Sequence, residues 1–164
     1  MVVQFPDWYE GGWPDRELVV ADLAQRFLDL LTPTGLAVTW LPEDLESLLA
    51  EGRVVVRVYR GGLGSDGLYD AAAVQLGVIA ETRADSWAVM EYLRQMMLSY
   101  EHGGRVRRQD GSITEISYVE EILGPQQMPE LNPDHRLVPA TFRVECRLPR
   151  DIPDYAAIRE SLPL

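Results

Sequence analysis

The sequence contains no lysine and only one cysteine in its 164 residues. All 15 basic side chains are therefore arginines, which excludes Schiff-base chemistry, a phosphate-loop lysine and a lysine general base. The single cysteine, Cys146, cannot form an internal disulfide and suits a reducing compartment. The sequence also lacks a basic or apolar leader typical of a secretion signal, and no run approaches the roughly 18 apolar residues of a membrane span. We therefore expect a protein that stays in the cytoplasm unless it leaves within a larger assembly.

Positive charge is scarce throughout the chain. There are 15 basic against 26 acidic residues, a formal net charge of −11. The excess is shared, because residues 1–60 hold five arginines against ten acids and residues 61–164 hold ten against sixteen. Tight sequence-independent DNA binding is not expected, since phosphate neutralisation by Lys and Arg supplies most of its affinity. Hydrophobic residues make up 46% of the chain, which is enough for one core.

Apolar side chains recurring at three- and four-residue steps predict two main helices. The first begins near Asp15 and is ended by Pro33 and Gly35. The second runs from about Asp85, a plausible N-cap, to Glu101. A brief third helix is expected between them, opened by Pro42-Glu43-Asp44 and stopped at Gly52.

Alternating apolar and polar residues predict the strands. They are expected at residues 36–41, 53–60, 70–83, 105–108, 113–122 and 136–148, with the Gly-rich stretch 61–67 (GGLGSDG) as a mobile hairpin connection. Together these segments predict an α+β fold, in which two main helices pack on one face of a mixed, mostly antiparallel sheet. We expect a single domain over residues 1–148 and an extended proline-rich arm, outside the core, over residues 149–164.

Residue patterns that could carry catalysis are few. His102 and His135 lack a second ligand at zinc spacing, and Cys146 alternates with apolar strand residues as a small buried side chain would. Glu120 and Glu121 are neighbours on a strand and therefore point to opposite faces. The acids at 43, 44 and 46 open a helix, and those at 66 and 70 lack the ladder of a calcium loop. The sequence predicts no catalytic residue, no metal ligand, no cofactor and no enzyme activity.

Surface character is more informative than catalytic chemistry. An aromatic leader, containing Trp8, Tyr9 and Trp13, precedes the first periodic element. It can either strap its own domain or contact another subunit. The start of one long strand carries three arginines, Arg53, Arg57 and Arg60, which can line a solvated sheet face or pair with acids of a neighbouring subunit.

Several segments together resemble a known family. They are FPDWYEGGWPDRELVVADLAQRFLD with the following Leu41-Pro42, the strand GRVVVRVYRGG with its diglycine, and the strand-to-helix junction ETRADSWA, all within residues 5–148. This set resembles the tail terminator, or tail completion, proteins of long-tailed phages (siphoviruses), especially those that infect actinobacteria.

The resemblance implies a virion protein that forms a homo-hexameric ring on the head-proximal end of the tail tube. Such a ring ends tube polymerisation and joins the tail to the neck, so its partners would be the major tail protein and a neck or head-closure protein. DNA would pass through the lumen without specific binding, and an acidic wall suits that passage. We expect the subunit or tube contacts to come from the leader, the arginine strand and the Gly-rich hairpin, with candidate residues Trp8, Tyr9, Trp13, Arg53, Arg57, Arg60, Gly61, Gly62, Asp66 and Tyr69.

Other functions fit part of the same sequence. A head-closure or stopper protein would share the size and the α+β fold but would assemble differently. A small acidic enzyme would need a cleft with perturbed titratable groups. An acidic decoy for a DNA-binding protein would gather its negative charge on one face.

Overall fold

The computed structural model describes residues 3–9, 11–127, 135–147 and 152–162, and these residues form four helices and six strands. Helix α1 spans Arg16–Leu28, α2 Leu45–Ala50, α3 Arg83–Leu98 and α4 Tyr155–Ser161. The strands are β1 (Leu36–Val38), β2 (Val55–Ser65), β3 (Tyr69–Ile79), β4 (Gly104–Arg107), β5 (Ile113–Leu123) and β6 (Val138–Arg147).

The six strands form one mixed sheet in the order β1-β2-β3-β6-β5-β4. Only β1 and β2 are parallel, and every other neighbouring pair is antiparallel. The last strand in the sequence, β6, lies in the middle of the sheet between β3 and β5. The predicted mixed, mostly antiparallel α+β fold is confirmed.

Both main helices begin at side-chain caps. Asp15 caps α1 by accepting a hydrogen bond from the Glu17 backbone N–H at 3.0 Å. Thr82, not Asp85, caps α3: its hydroxyl oxygen accepts from the Asp85 N–H, and its hydroxyl group donates to the Asp85 carboxylate at 2.6 Å. The prediction of Asp85 as the N-cap was therefore wrong by three residues, because Thr82 already has the extended backbone and the acceptor that a cap requires.

The main core lies between the sheet and helices α1 and α3. Alternate residues of β2 and β3 point into it, as the two-residue period predicts, and they include Val56, Val58, Val74 and Leu76. A second, smaller core lies under α2 on the opposite side of the sheet, where Leu48 and Leu49 pack with Val55 and Ile79. The remainder of that opposite face carries polar or half-exposed residues from the central strands.

Three local predictions differ from the structure. The Gly-rich stretch 61–67 is not a long mobile loop, because β2 continues to Ser65 and pairs with β3 almost to the turn. The strand predicted at 36–41 ends at Val38. The segment expected to be an extended arm contains α4, which Asp154 caps and in which no residue is buried. The predicted loop residues 128–134, the predicted strand residue Leu148 and the arm residues 149–151 and 163–164 lie outside the described residues.

Candidate assembly surface

The three arginines of the β2 region point in different directions. Arg53 precedes the strand, and its Nε donates to the Thr34 carbonyl at 3.1 Å. Arg57 lies on the sheet face that α1 and α3 leave uncovered, because its neighbours Val56 and Val58 point into the core. Arg60 lies on the helix side, with one guanidinium nitrogen 3.7 Å from the Asp15 carboxylate. The arginines therefore do not form one basic stripe.

Arg57 is held between two aromatic rings. Its guanidinium carbon lies 5.6 Å from the ring centroids of both Trp40 and Tyr59. These distances allow cation–π attraction, and Trp, Tyr and Arg are the residues most often dominant in protein interfaces. Trp40 is 78% exposed and Tyr59 is 53% exposed, so the cluster presents apolar area to solvent. Sequence reasoning missed Trp40, because it was assigned to a longer first strand.

The β2 edge next to Arg60 is occupied by a side chain from α1. The Arg60 backbone N–H donates to Glu17 Oε2 at 2.9 Å. This N–H therefore points away from β3, toward the outer edge of the sheet. A carboxylate at this position satisfies an edge donor that would otherwise be open to solvent or to another strand.

A buried arginine joins the start of α1 to the base of the hairpin. Arg16 is 0% exposed, forms an ion pair with Asp70 and donates from its NH1 nitrogen to the Pro14 carbonyl at 2.6 Å. Burial, followed by repulsion from Arg60, lowers the pKa of the Arg16 guanidinium below its ordinary value. Sequence reasoning missed this residue, because an arginine in the first turn of a helix is normally exposed.

The tip of the β2–β3 hairpin is a defined turn. Asp66 Oδ1 accepts from the backbone N–H groups of Leu68 at 3.0 Å and Tyr69 at 2.8 Å. These hydrogen bonds lower the pKa of the Asp66 carboxyl below its ordinary value. Gly67 has a φ of +90°, which favours glycine. Asp66 therefore shapes the turn, while Leu63 and Leu68 provide exposed apolar side chains beside it.

The aromatic leader contacts the C-terminal helix of its own chain. The rings of Phe5 and Tyr9 are 4.7 Å apart, and the Trp8 ring meets the Tyr155 ring edge-on at 5.5 Å. Trp8 is exposed, whereas Tyr9 and Trp13 are half-buried. The structure thus brings the leader and α4 together in one aromatic cluster.

Titratable groups in the described residues do not form a catalytic constellation. One open cleft, of about 440 Å³, contains His102 beside Arg105 and Glu115, which form an exposed ion pair at 3.1 Å. Burial raises the pKa of the Cys146 thiol to about 11, so the thiol is protonated near neutral pH. No group of three or more potential metal ligands occurs in the part of the chain that the structure describes.

Two carboxylates considered as candidate acids have ordinary surroundings. Glu121 accepts two hydrogen bonds from Arg94, at 2.5 and 2.9 Å, and this pairing raises the pKa of the arginine. Glu120 is exposed on the other face of the strand.

Across the described residues, no helix is both long and apolar enough to cross a membrane.

The polar and aromatic groups on this surface are suited to protein contacts. A family model described as phage tail termination protein matches residues 12–153 of the 164. A search for curated relatives found no match. Because the family match covers most of the chain and includes both main helices and the entire sheet, this chain belongs to the phage tail termination proteins, structural components of the virion tail that act by contacting other tail proteins.

Proposed function

We propose that this protein caps the head-proximal end of the tail tube as a hexameric ring. The ring ends polymerisation of the tube and forms the joint to the neck and head. The observation that carries this proposal is the family match over residues 12–153. The match identifies tail termination, and the hexamer and the position at the head-proximal end are the specific forms of that role that we propose.

The proposed partners are the major tail protein on one side of the ring and a neck or head-closure protein on the other. Ring closure requires heterologous contacts, in which one patch of a subunit meets a different patch on the next subunit. The exposed Trp40–Arg57–Tyr59 cluster and the apolar hairpin side chains support such contacts. The remaining candidate residues, including Arg53, Gly61, Gly62 and Tyr69, stay predictions for the subunit or tube interface.

DNA passes through the lumen in the proposed assembly. A net charge of −11 per subunit suits a channel that lets a polyanion slide without gripping it. Subunits assemble in the host cytoplasm and remain in the virion at the head-proximal end of the tail of a siphovirus. We further propose that residues 1–148 form the ring-building domain and that residues 149–164 act as a separate arm, since α4 buries none of its residues.

Tail length and subunit mass test this proposal. A phage lacking the gene should make tubes of uncontrolled length without heads, and supplying the protein should restore fixed-length, head-joined tails. The purified or tube-bound protein should have six times the 18.5 kDa subunit mass. Tails of normal length that fail only to retain DNA would instead indicate a head-closure or stopper protein. Normal phage assembly without the gene would contradict any role in tail termination.

A further inference from the structure

Two strands of the sheet have long open edges. On the outer side of β2, β1 pairs only with Val55, Val56 and Arg57. On the outer side of β5, β4 pairs only with residues 113–116. Within the described residues, no strand pairs with the outer side of 58–65 in β2 or of 117–123 in β5. Each open edge offers backbone donors and acceptors that another strand can use.

The two open edges lie on opposite sides of the sheet and at the same level along the strand direction. One row of register partners crosses the four central strands through Gly61, Ala73, Arg143 and Glu120. Three successive antiparallel pairings separate β2 from β5, so these two strands run in opposite directions. A second copy placed beside the first in the same orientation therefore sets its β5 edge antiparallel to the first copy's β2 edge.

The short outer strands leave space for this pairing. In the joined sheet, the outer side of β2 would be lined first by β1 of the same copy and then by β5 of the neighbour. In the same way, the outer side of β5 would be lined by β4 of its own copy and then by β2 of the other copy. The β1 pairing stops at Arg57 of β2. The end of β5, at Leu123, is level with Tyr59 of β2 when register partners are followed across the sheet. At the other end, β4 begins beside Ile116, in the row where β2 ends. β1 would therefore end before the neighbour's β5 begins, whereas β4 and the neighbour's β2 would meet at one position, level with Ile116 and Ser65, where the paired segment ends.

Beyond the Glu17 carboxylate at Arg60, the β2 edge is bare at its glycines. A Cβ atom added at Gly62 or Gly64 would meet nothing within 4 Å. Glycine in a strand interior often marks a close approach by another backbone. The Arg60 N–H already donates outward to Glu17, so the N–H of Gly62, two residues further along the strand, also points outward. A neighbouring carbonyl can take the place of the Glu17 carboxylate.

The side chains along the two edges differ in charge and share apolar character. The open part of β2 contains Arg60, whose guanidinium lies 3.7 Å from Asp15, whereas the β5 edge presents the exposed carboxylate of Glu120. Exposed apolar side chains accompany both edges, with Tyr59 on β2 and Ile122 on β5. Two β5 edges would bring like carboxylates together, which disfavours the meeting of two identical β5 edges.

From these observations we infer that residues 58–65 of one subunit pair with residues 117–123 of the next, so that the sheets of successive subunits join into one continuous sheet around the ring. The occupant of each open edge is a second copy of this chain. This inference rests on the proposed ring and adds its subunit contact.

Single substitutions at each edge test the pairing in the full chain. Gly62→Pro removes the outward donor without removing a hydrogen bond to β3, and Gly62→Ala is the matched control that keeps the donor. Ile122→Pro alters β5 at a bulge residue that has no register partner on β6, and Ile122→Val is its control. We expect both proline variants to lose the hexamer in native mass spectrometry and to lose control of tube length. Both control variants should keep the hexamer and the normal tube length.

A mixing experiment distinguishes an edge-to-edge contact from misfolding. The two proline variants have complementary intact edges, so an equal mixture should form heterodimers of twice the subunit mass and no larger species. Recovery of these dimers also shows that both variants fold. If Gly62→Pro does not fold, Gly62→Glu replaces it, because the space beside Gly62 accepts a side chain and a carboxylate there repels the acidic β5 edge.

The possible failures have separate meanings. Folded proline variants that still form hexamers and still control tube length would overturn the edge pairing and leave the proposed function intact. A wild-type protein that neither forms a ring nor limits tube length would overturn the proposed function, and the edge pairing with it. If the wild-type protein forms its ring only on tubes, tube length is the measurement that decides. It should then be uncontrolled with the proline variants and normal with their controls.

Discussion

At the scale of single residues, the buried Arg16–Asp70 ion pair joins the start of α1 to the base of the hairpin. Arg16→Met should lower the free energy of unfolding by about 3 kcal/mol, because it leaves Asp70 without its buried partner. Arg105→Met is the matched control, since its ion pair with Glu115 is exposed and should contribute less than about 1 kcal/mol. Urea unfolding of both variants measures the difference. Equal small losses would contradict a structural role for Arg16.

The Cys146 thiol provides a pH-dependent prediction. Burial raises its pKa from the ordinary value of 9.0 to about 11, so the folded protein favours the protonated thiol. The associated stability is fully present below pH 9 and is lost as the pH rises toward 11. At pH 8 we expect a thiol-reactive disulfide reagent to label the native protein very slowly and the denatured protein rapidly. Rapid labelling of the native protein would show that β6 is not buried as described.

At the scale of elements, the connection between α3 and β4 depends on one glycine. Gly103 has a φ of +81°, and an added Cβ would lie 2.8 Å from the Ile116 carbonyl oxygen. Gly103→Ala should therefore cost about 2 to 3 kcal/mol, combining backbone strain with a clash against β5. Gly111→Ala isolates the strain, because Gly111 has a φ of +86° but nothing near its Cβ position, and should cost about 1 kcal/mol. Thermal unfolding compares the two variants, and equal losses would exclude the clash.

The order and type of the main elements could be read from the sequence, because periodicity reports which side of an element faces a core. The two-residue alternation along β2 and β3 is an example, with Val56 and Leu76 buried as expected. The exact ends of the helices and strands were harder to predict, since they depend on local hydrogen bonds. Thr82 and Asp85 both have capping oxygens, and only the backbone geometry shows that Thr82 is the cap.

The candidate surface was less predictable than the fold. The arginines of the β2 region were visible in the sequence, but their separation depends on where β2 begins and which face each residue takes. The Trp40 ring beside Arg57 comes from another segment, so no local pattern links the two. Arg16 was hidden for the same reason, because its partner Asp70 is more than fifty residues away.

At the scale of the whole molecule, the two ends of the chain form a unit that contributes little to the core. Tyr155→Ala should change the free energy of unfolding by less than about 1 kcal/mol, because no residue of α4 is buried. It should also shift Trp8 fluorescence to longer wavelength by removing the ring packed against it. Tyr92→Ala is the control within the core, since Tyr92 packs on Phe27 and donates to its carbonyl at 3.1 Å, and should cost about 3 kcal/mol. A large loss from Tyr155→Ala would contradict a separate arm.

The central position of β6 fixes when the molecule can finish folding. The β2–β3 hairpin and the β4–β5 hairpin each form from neighbouring segments, which makes their pairing fast. The two hairpins are not joined to each other until β6 fits between them. During synthesis, residue 147 must therefore leave the ribosome before β6 can pair fully with either hairpin. Until then the nascent chain carries uncompleted strands, so each subunit becomes competent to assemble only after β6 has left the ribosome.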